Sequence, residues 1–216
     1  LTGCLILTAG FGNTSFLGFP IIQALYGEEG LKMAIIVDQP GTFVVLSTLG
    51  VVVATLYSNG SSNGFQIAKK IIFFPPFIAF LLACFMNVFQ FDFHQYIQFG
   101  LLKIGSVMTP LAMLSVGLQL HFDKKSKHWK FLRLGLFYKL ILTPALIYLL
   151  YVVVFDQHSK MIQVSIMEGA MAPMISSSII AATHGLKPRL CSMMIGFGIP
   201  ISFITLVFWY FVAGCI

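Results

Sequence analysis

Long apolar stretches alternate with short polar connectors along the whole chain. A bilayer core of about 30 Å is crossed by about 20 apolar residues in an α-helix. The pattern predicts seven such spans, at residues 3–26, 31–57, 70–89, 97–120, 131–155, 160–183 and 190–214. The connectors are rich in Gly, Ser and Asn, and none is long enough to hold a soluble domain. The sequence therefore predicts an all-α polytopic membrane protein.

Two of these spans are interrupted near the middle by polar residues, glycine and proline. The first break is the segment 12–20, and the second break is the segment 168–178, which contains Glu168, Pro173 and three consecutive serines. Lipid cannot satisfy the backbone groups that an interrupted helix frees, so such breaks persist where they line a cavity enclosed by protein. A pair of broken helices in corresponding positions of two repeats indicates the midplane site of a transporter.

Spans one and two share their layout with spans six and seven. Each pair has an interrupted helix, a connector glycine (Gly27 or Gly185) and a later proline (Pro40 or Pro200). Corresponding spans are five apart, so alternate crossing gives them opposite orientations, as in an inverted repeat of a ten-helix carrier, with three further helices expected before Leu1. The predicted organisation has three parts: the last two helices of a first repeat at 1–57, a cytoplasmic linker at 58–69 and a complete five-helix second repeat at 70–216.

Composition agrees with the membrane assignment. Of the residues, 58% are apolar and only 9% are charged, with a mean hydropathy of +0.92, whereas soluble domains have about 25% charged residues. The net charge of +6 does not indicate a nucleic-acid partner, because the basic residues lie mainly in the connectors. A soluble protein is excluded on this basis.

The connectors also predict the orientation of the chain. Nine Lys and Arg residues fall on one side of the alternating spans and two on the other: Lys69, Lys70, Lys124, Lys125, Lys127, Lys130, Arg133, Lys187 and Arg189 against Lys32 and Lys160. The side rich in basic residues is expected to be cytoplasmic, which places the carboxyl terminus outside the cell membrane.

The first break provides neutral hydrogen-bonding groups. Backbone amides at the start of a half-helix hold anions, and the side chain of Asn13, followed by Thr14 and Ser15, both donates and accepts hydrogen bonds. The alternative is that these side chains join neighbouring helices or cap the half-helix. Gly18 and Pro20 permit the break.

The second break brings a carboxylate into the membrane. Glu168 is a candidate for binding a coupling proton, and the alternative is a structural ion pair with Lys139 or Lys103. Asp38 is either a second coupling group or shallow enough to reach water. Lys103 and Lys139 counter a carboxylate, help to bind an anion or extend to an interface. The first break is thus assigned chiefly to holding substrate and the second chiefly to coupling.

Three serines follow the second break. Ser176, Ser177 and Ser178 point in different directions on a helix, so one or two of them line the cavity. Ser176, together with Pro173, is the candidate for contacting substrate.

No catalytic or metal-binding pattern accompanies these features. No pair among the four cysteines and five histidines has metal-ligand spacing, and no Ser/His/Asp set shares one membrane depth. We therefore expect neither a metal nor a cofactor, and no enzyme. The expected partners are the lipid bilayer, a small organic anion and a coupling proton or sodium ion, and a homodimer is compatible with the sequence.

Three segments carry a resemblance: residues 13–20 with Gly27, residues 109–120, and residues 171–173 with the serines that follow. They resemble the auxin efflux carrier family, which includes malate and malonate permeases, within the superfamily of bile-acid and auxin transporters. Residues 13–20 with Gly27 resemble its first crossover helix, and Met171-Ala172-Pro173 with the following serines resembles its second. Residues 109–120 resemble its Pro-to-Gly-x-x-Leu helix, so the likeness spans nearly the whole chain.

The resemblance implies a ten-helix fold like that of sodium/bile-acid symporters, with crossed broken helices and an elevator-like movement. Microbial relatives are permeases for malate, malonate and similar carboxylates, and plant relatives export the weak acid auxin. By position, Asn13 and the breaks around Pro20 and Pro173 would form the crossover and the substrate site. The chain departs from the family at Ser15, where Gly is common, and at Ala172, which separates Met from Pro. These departures leave the identity of the substrate open.

The predicted function is a secondary transporter, a permease or efflux carrier that moves small organic anions such as carboxylates by alternating access. The alternative is a non-transporting membrane sensor or interaction protein that retains the carrier fold.

Overall fold

The computed structural model describes residues 1–58, 73, 75–118 and 127–216, and every regular element in these residues is helical. The α-helices are α1 (Thr2–Gly10), α2 (Phe19–Val37), α3 (Val51–Leu56), α4 (Pro75–Val88), α5 (Gln95–Leu118), α6 (Trp129–Phe137), α7 (Thr143–Tyr148), α8 (Lys160–Gly169), α9 (Ile175–Thr183) and α10 (Pro188–Gly214). Shorter π-helical turns lie at Thr14–Gly18, Asp38–Phe43, Leu46–Gly50, Tyr138–Leu142 and Leu149–Val154. The all-α prediction is confirmed.

Some sequence predictions fall outside the described residues. These are the linker 58–69 beyond Ser58, the first residues of the third span, and the basic residues at 119–126. The backbone of the motif at 109–120 is described as far as Leu118, within α5.

Three helical runs are long and apolar enough to cross a membrane: Thr14–Leu56, Trp129–Val154 and Pro188–Gly214. They cover all but the last residue of the second and fifth predicted spans and the whole of the seventh. The first span corresponds to α1 and the start of α2, the third to α4, the fourth to α5, and the sixth to α8 and α9. The described helices therefore follow the predicted order of spans.

Two glycines turn the chain between neighbouring helices. Gly27 interrupts α2 with φ 69° and ψ −163°, and Gly185, between α9 and α10, has φ 72°. Only glycine takes such positive φ values without strain. The long run Thr14–Leu56 therefore consists of two helices joined at Gly27, which is where the sequence predicts a connector.

The two broken helices cross each other. Helix α1 packs against α9, and α2 packs against α8. At the crossing, Gly12 and Pro173 form an isolated antiparallel bridge. The Asn13 N–H donates to the Ala172 carbonyl at 2.8 Å, and the Met174 N–H donates to the Phe11 carbonyl at 3.0 Å. Each break thus satisfies peptide groups that the other frees, as an apolar surrounding requires.

Two apolar clusters support the crossing. One joins α2, α8 and the later part of α10 through residues such as Ile22, Met167 and Leu206. The other joins α1, α6, α9 and the start of α10 through residues such as Leu7 and Leu190. Helix α10 contributes to both clusters and therefore holds the two halves of the crossing together.

Most of the apolar side chains whose exposure the structure describes on α4 and α5 are exposed. The exposed fraction is 73% for Leu102 and 59% for Phe85. The α5 helix contacts the turn Thr14–Gly18, and the Phe80 ring of α4 lies 5.5 Å from the ring of Phe43. Such broad apolar exposure is typical of helices surrounded by lipid.

Candidate functional site

A cavity of about 590 Å³ lies beside the crossing of the two breaks. Its polar lining comes from the first break, the second span, the Tyr138–Leu142 turn and α8. The lining residues are Gly10, Phe11, Gly12, Thr14, Val37, Gly41, Thr42, Val45, Lys139, Ile147, Tyr151, Met161, Ile162, Ser165, Glu168 and Gly169. The crossing thus borders a largely apolar space with a few polar groups, which is typical of small-molecule sites.

Asp38 connects the first break to the second span. Its carboxylate is fully buried and accepts hydrogen bonds on Oδ1 from Thr14 Oγ1 and, at 2.7 Å, from Ser15 Oγ. Gln39 Nε2 donates to Oδ2 at 3.1 Å. The alternative that Asp38 lies shallow enough to reach water is wrong, because its side chain is enclosed and paired inside the protein.

Asn13 is fixed through its backbone, and its side chain is left without a partner. The residue is 1% exposed, and neither its Oδ1 nor its Nδ2 has a hydrogen-bond partner among the described residues. Although Asn13 precedes the turn Thr14–Gly18, its side chain does not cap that turn. An unpaired buried amide costs about 1–3 kcal/mol, and Asn13 is not among the residues that line the cavity, although its neighbours Gly12 and Thr14 are.

Glu168 lies in the last turn of α8 and reaches toward the first break. It is 1% exposed, and both carboxylate oxygens lack a hydrogen-bond partner in the described part of the chain. Gly18 lies directly against this carboxylate, since a Cβ at Gly18 would be 2.8 Å from Glu168 Oε1 and still closer to Oε2. The absence of a side chain at Gly18 therefore makes room for the carboxylate of the other break.

Lys139 is buried at the crossing, so it does not extend to a membrane interface. Its Nζ donates to the Gly169 carbonyl at 3.1 Å rather than forming an ion pair with Glu168. The turn that carries it, Tyr138–Leu142, is held by the Trp209 indole, which donates to the Leu140 carbonyl at 2.9 Å. Lys103, in contrast, is exposed on α5, with its Nζ 5.4 Å from the centre of the Phe99 ring.

The remaining predicted residues are divided between the crossing and its flanks. Pro173 is buried in the bridge with Gly12, and Pro20 is half-buried in the first turn of α2. Ser176 is half-buried on α9 and is absent from the cavity lining. Ser177 and Ser178 are buried, and the hydroxyl of each donates to the Met174 carbonyl at 2.9 Å.

Several lining residues have no distinguishing mark in the sequence. Thr42, Tyr151 and Ser165 lie inside apolar spans, and their position beside the crossing depends on the packing of separate helices. Lys139, in contrast, could be recognised as a candidate from the sequence, because a lysine in the middle of an apolar span is rare. Among the described residues, no group of three or more His, Cys, Asp or Glu is arranged to hold a metal ion.

The family described as Membrane transport protein matches residues 1–210. An uncharacterized transporter of Methanocaldococcus jannaschii is 38% identical over 122 residues, which cover 55% of this chain and 38% of the relative. An uncharacterized transporter of Methanothermobacter thermautotrophicus is 29% identical over 209 residues, covering 95% of this chain and 66% of the relative. The chain thus spans less than two thirds of either relative. It belongs to the membrane transport protein family, the family of the auxin efflux carriers that its motifs resemble.

Proposed function

We propose that this chain is the crossover-bearing part of a secondary transporter for small organic anions, which works by alternating access. The observation that carries the proposal is the meeting of two broken helices around buried polar side chains without partners, Asn13 and Glu168. Groups of this kind are retained in a membrane protein where they serve a substrate or an ion.

The proposed substrate site lies where the first break borders the cavity. Asn13 supplies an amide that donates and accepts, while Thr14 and Ser15 hold the break to Asp38. Gly18 and Pro20 shape the first break, and Pro173 and Ser176 belong to the second. Among the described residues that line the cavity, an anion meets one buried cation, the Lys139 ammonium, and otherwise mainly apolar walls.

The proposed coupling groups are Glu168 and Asp38. A buried carboxylate without a partner is poorly accommodated as a free charge, so Glu168 is suited to carry a proton or to meet a cation. We further propose that the described spans belong to an inverted repeat in the cell membrane, with the carboxyl terminus outside. Assembly as a homodimer is part of the same proposal.

Uptake of labelled malonate by proteoliposomes tests this function. Asn13→Ala removes a buried hydrogen-bonding group, and losing about 1–3 kcal/mol of substrate binding lowers uptake roughly tenfold at limiting substrate. Asn87→Ala is the matched control, because Asn87 is exposed on α4, and we expect it to transport normally.

Other labelled mono- and dicarboxylates are measured in parallel, because the identity of the substrate is open. Unchanged uptake in both Asn13→Ala and Glu168→Gln contradicts the site assignment. Saturable binding of a carboxylate without any flux favours the non-transporting sensor instead.

A further inference from the structure

The ammonium of Lys139 touches both breaks at once. Its Nζ is 3.1 Å from the Gly169 carbonyl of the second break. On the other side, a Cβ at Gly12 of the first break would lie 2.8 Å from the same Nζ. The side chain is 3% exposed. A positive charge is thus enclosed at the point where the two chain segments cross.

The ammonium donates its hydrogen bond to the Gly169 carbonyl, which lies at the end of the half-helix α8. Such carbonyls carry partial negative charge, and in carriers with broken helices they coordinate the coupling Na⁺. A lysine ammonium is a compact point charge with three donors and therefore offers a carbonyl what a small cation offers. In the described residues Lys139 forms no ion pair with a carboxylate, so its one direct polar partner is this backbone oxygen.

We propose that Lys139 is the resident cation of the crossing: its Nζ occupies the position at the Gly169 carbonyl that a free metal cation would otherwise take. The protein then needs no Na⁺ to hold the second break. For the proposed function, this removes the Gly169 carbonyl as a binding position for a coupling Na⁺, and only that consequence rests on the proposed function.

Thermal unfolding of the purified protein in detergent, without substrate, tests the inference. The melting temperature is measured in choline, sodium and ethylammonium chloride at equal ionic strength. Wild type is expected to show no specific effect of either Na⁺ or ethylammonium. Lys139→Ala leaves a space beside the Gly169 carbonyl, so its melting temperature should fall, and Na⁺ or ethylammonium should restore at least half of the loss in a saturable manner.

Two further variants separate a cation position from a general packing effect. Lys139→Met fills the same space without charge, so neither cation should stabilise it. Lys103→Ala removes an exposed lysine and should respond to neither cation. A saturable Na⁺-specific stabilisation of wild type overturns the proposal, and so does a Lys139→Ala variant that responds no better than Lys139→Met.

If Lys139→Ala does not fold in choline chloride, folding that is recovered in sodium or ethylammonium chloride supports the proposal, and failure to fold in all three salts overturns it. Failure to transport any carboxylate would overturn the proposed function and leave this titration unaffected.

Discussion

The two breaks cross at one point, yet their polar groups are satisfied differently. In the first break, the hydroxyls of Thr14 and Ser15 both donate to one oxygen of Asp38. In the second break, Glu168 brings its own carboxylate, and neither oxygen has a partner among the described residues. The contrast is therefore between a paired and an unpaired buried carboxylate, rather than between a neutral and a charged break.

This difference bears on which break holds the substrate and which break couples transport to an ion. A carboxylate with three donors holds its neighbours in place, whereas one without donors is free to exchange a proton or meet a ligand. Asp38, besides being a proposed coupling group, thus has the features of an anchor for the first break, whereas Glu168 has only those of a responsive group. The assignment of substrate holding to one break and coupling to the other remains a prediction.

The largest effect is expected from removing the paired carboxylate. Asp38→Ala leaves three neutral donors without their acceptor, and hydrogen bonds to a charged group contribute about 1.5–3 kcal/mol each. Thermal unfolding in detergent should show a large fall in melting temperature. Asp92→Ala is the control, since Asp92 is exposed and forms no ion pair with the residues that the structure describes, and it should unfold as wild type does. Equal stability of Asp38→Ala and wild type would mean that Asp38 does not anchor the first break.

A smaller but more specific effect is expected where the two breaks touch. Gly18→Ala places a Cβ against both carboxylate oxygens of Glu168, and such overpacking costs about 1–3 kcal/mol. Gly105→Ala is the control, because a Cβ there meets nothing within 4 Å. In a Glu168→Ala background, Gly18→Ala should lose most of its effect, as a double-mutant cycle of melting temperatures would show. Additive effects would contradict the contact.

The sequence predicted the breaks and the turns, because both depend on local signals. Gly27 and Gly185 take positive φ at the predicted connectors, and the segments containing Pro20 and Pro173 are interrupted as expected. Glycine and proline act on the backbone at their own positions, so their effect is visible without knowing the fold.

The partners across the crossing were not predictable in the same way. Thr14 and Asp38 are 24 residues apart, and Lys139 reaches a carbonyl 30 residues away. A lysine in an apolar span has more than one explanation, and only the packing of separate helices decides whether it is enclosed or extends to an interface. The sequence therefore indicated which polar residues belong to the site better than it indicated which of them contact each other.

The smallest change in stability, and the sharpest contrast with Asp38→Ala, is expected from Glu168→Gln. The substitution keeps the shape of the side chain and replaces a carboxyl group that has no hydrogen-bond partner among the described residues with a neutral amide. Its melting temperature should therefore match or exceed that of wild type, with a change of about 1 kcal/mol or less. Glu29→Gln, which alters an exposed carboxylate paired with Lys160 at 3.2 Å, is the matched control and should also be nearly neutral.

If Glu168 carries a coupling proton, malonate uptake driven by a pH gradient falls in Glu168→Gln and not in Glu29→Gln. A strong loss of stability in Glu168→Gln would instead mean that its carboxylate is held by partners much as Asp38 is, and the contrast between the two breaks would disappear.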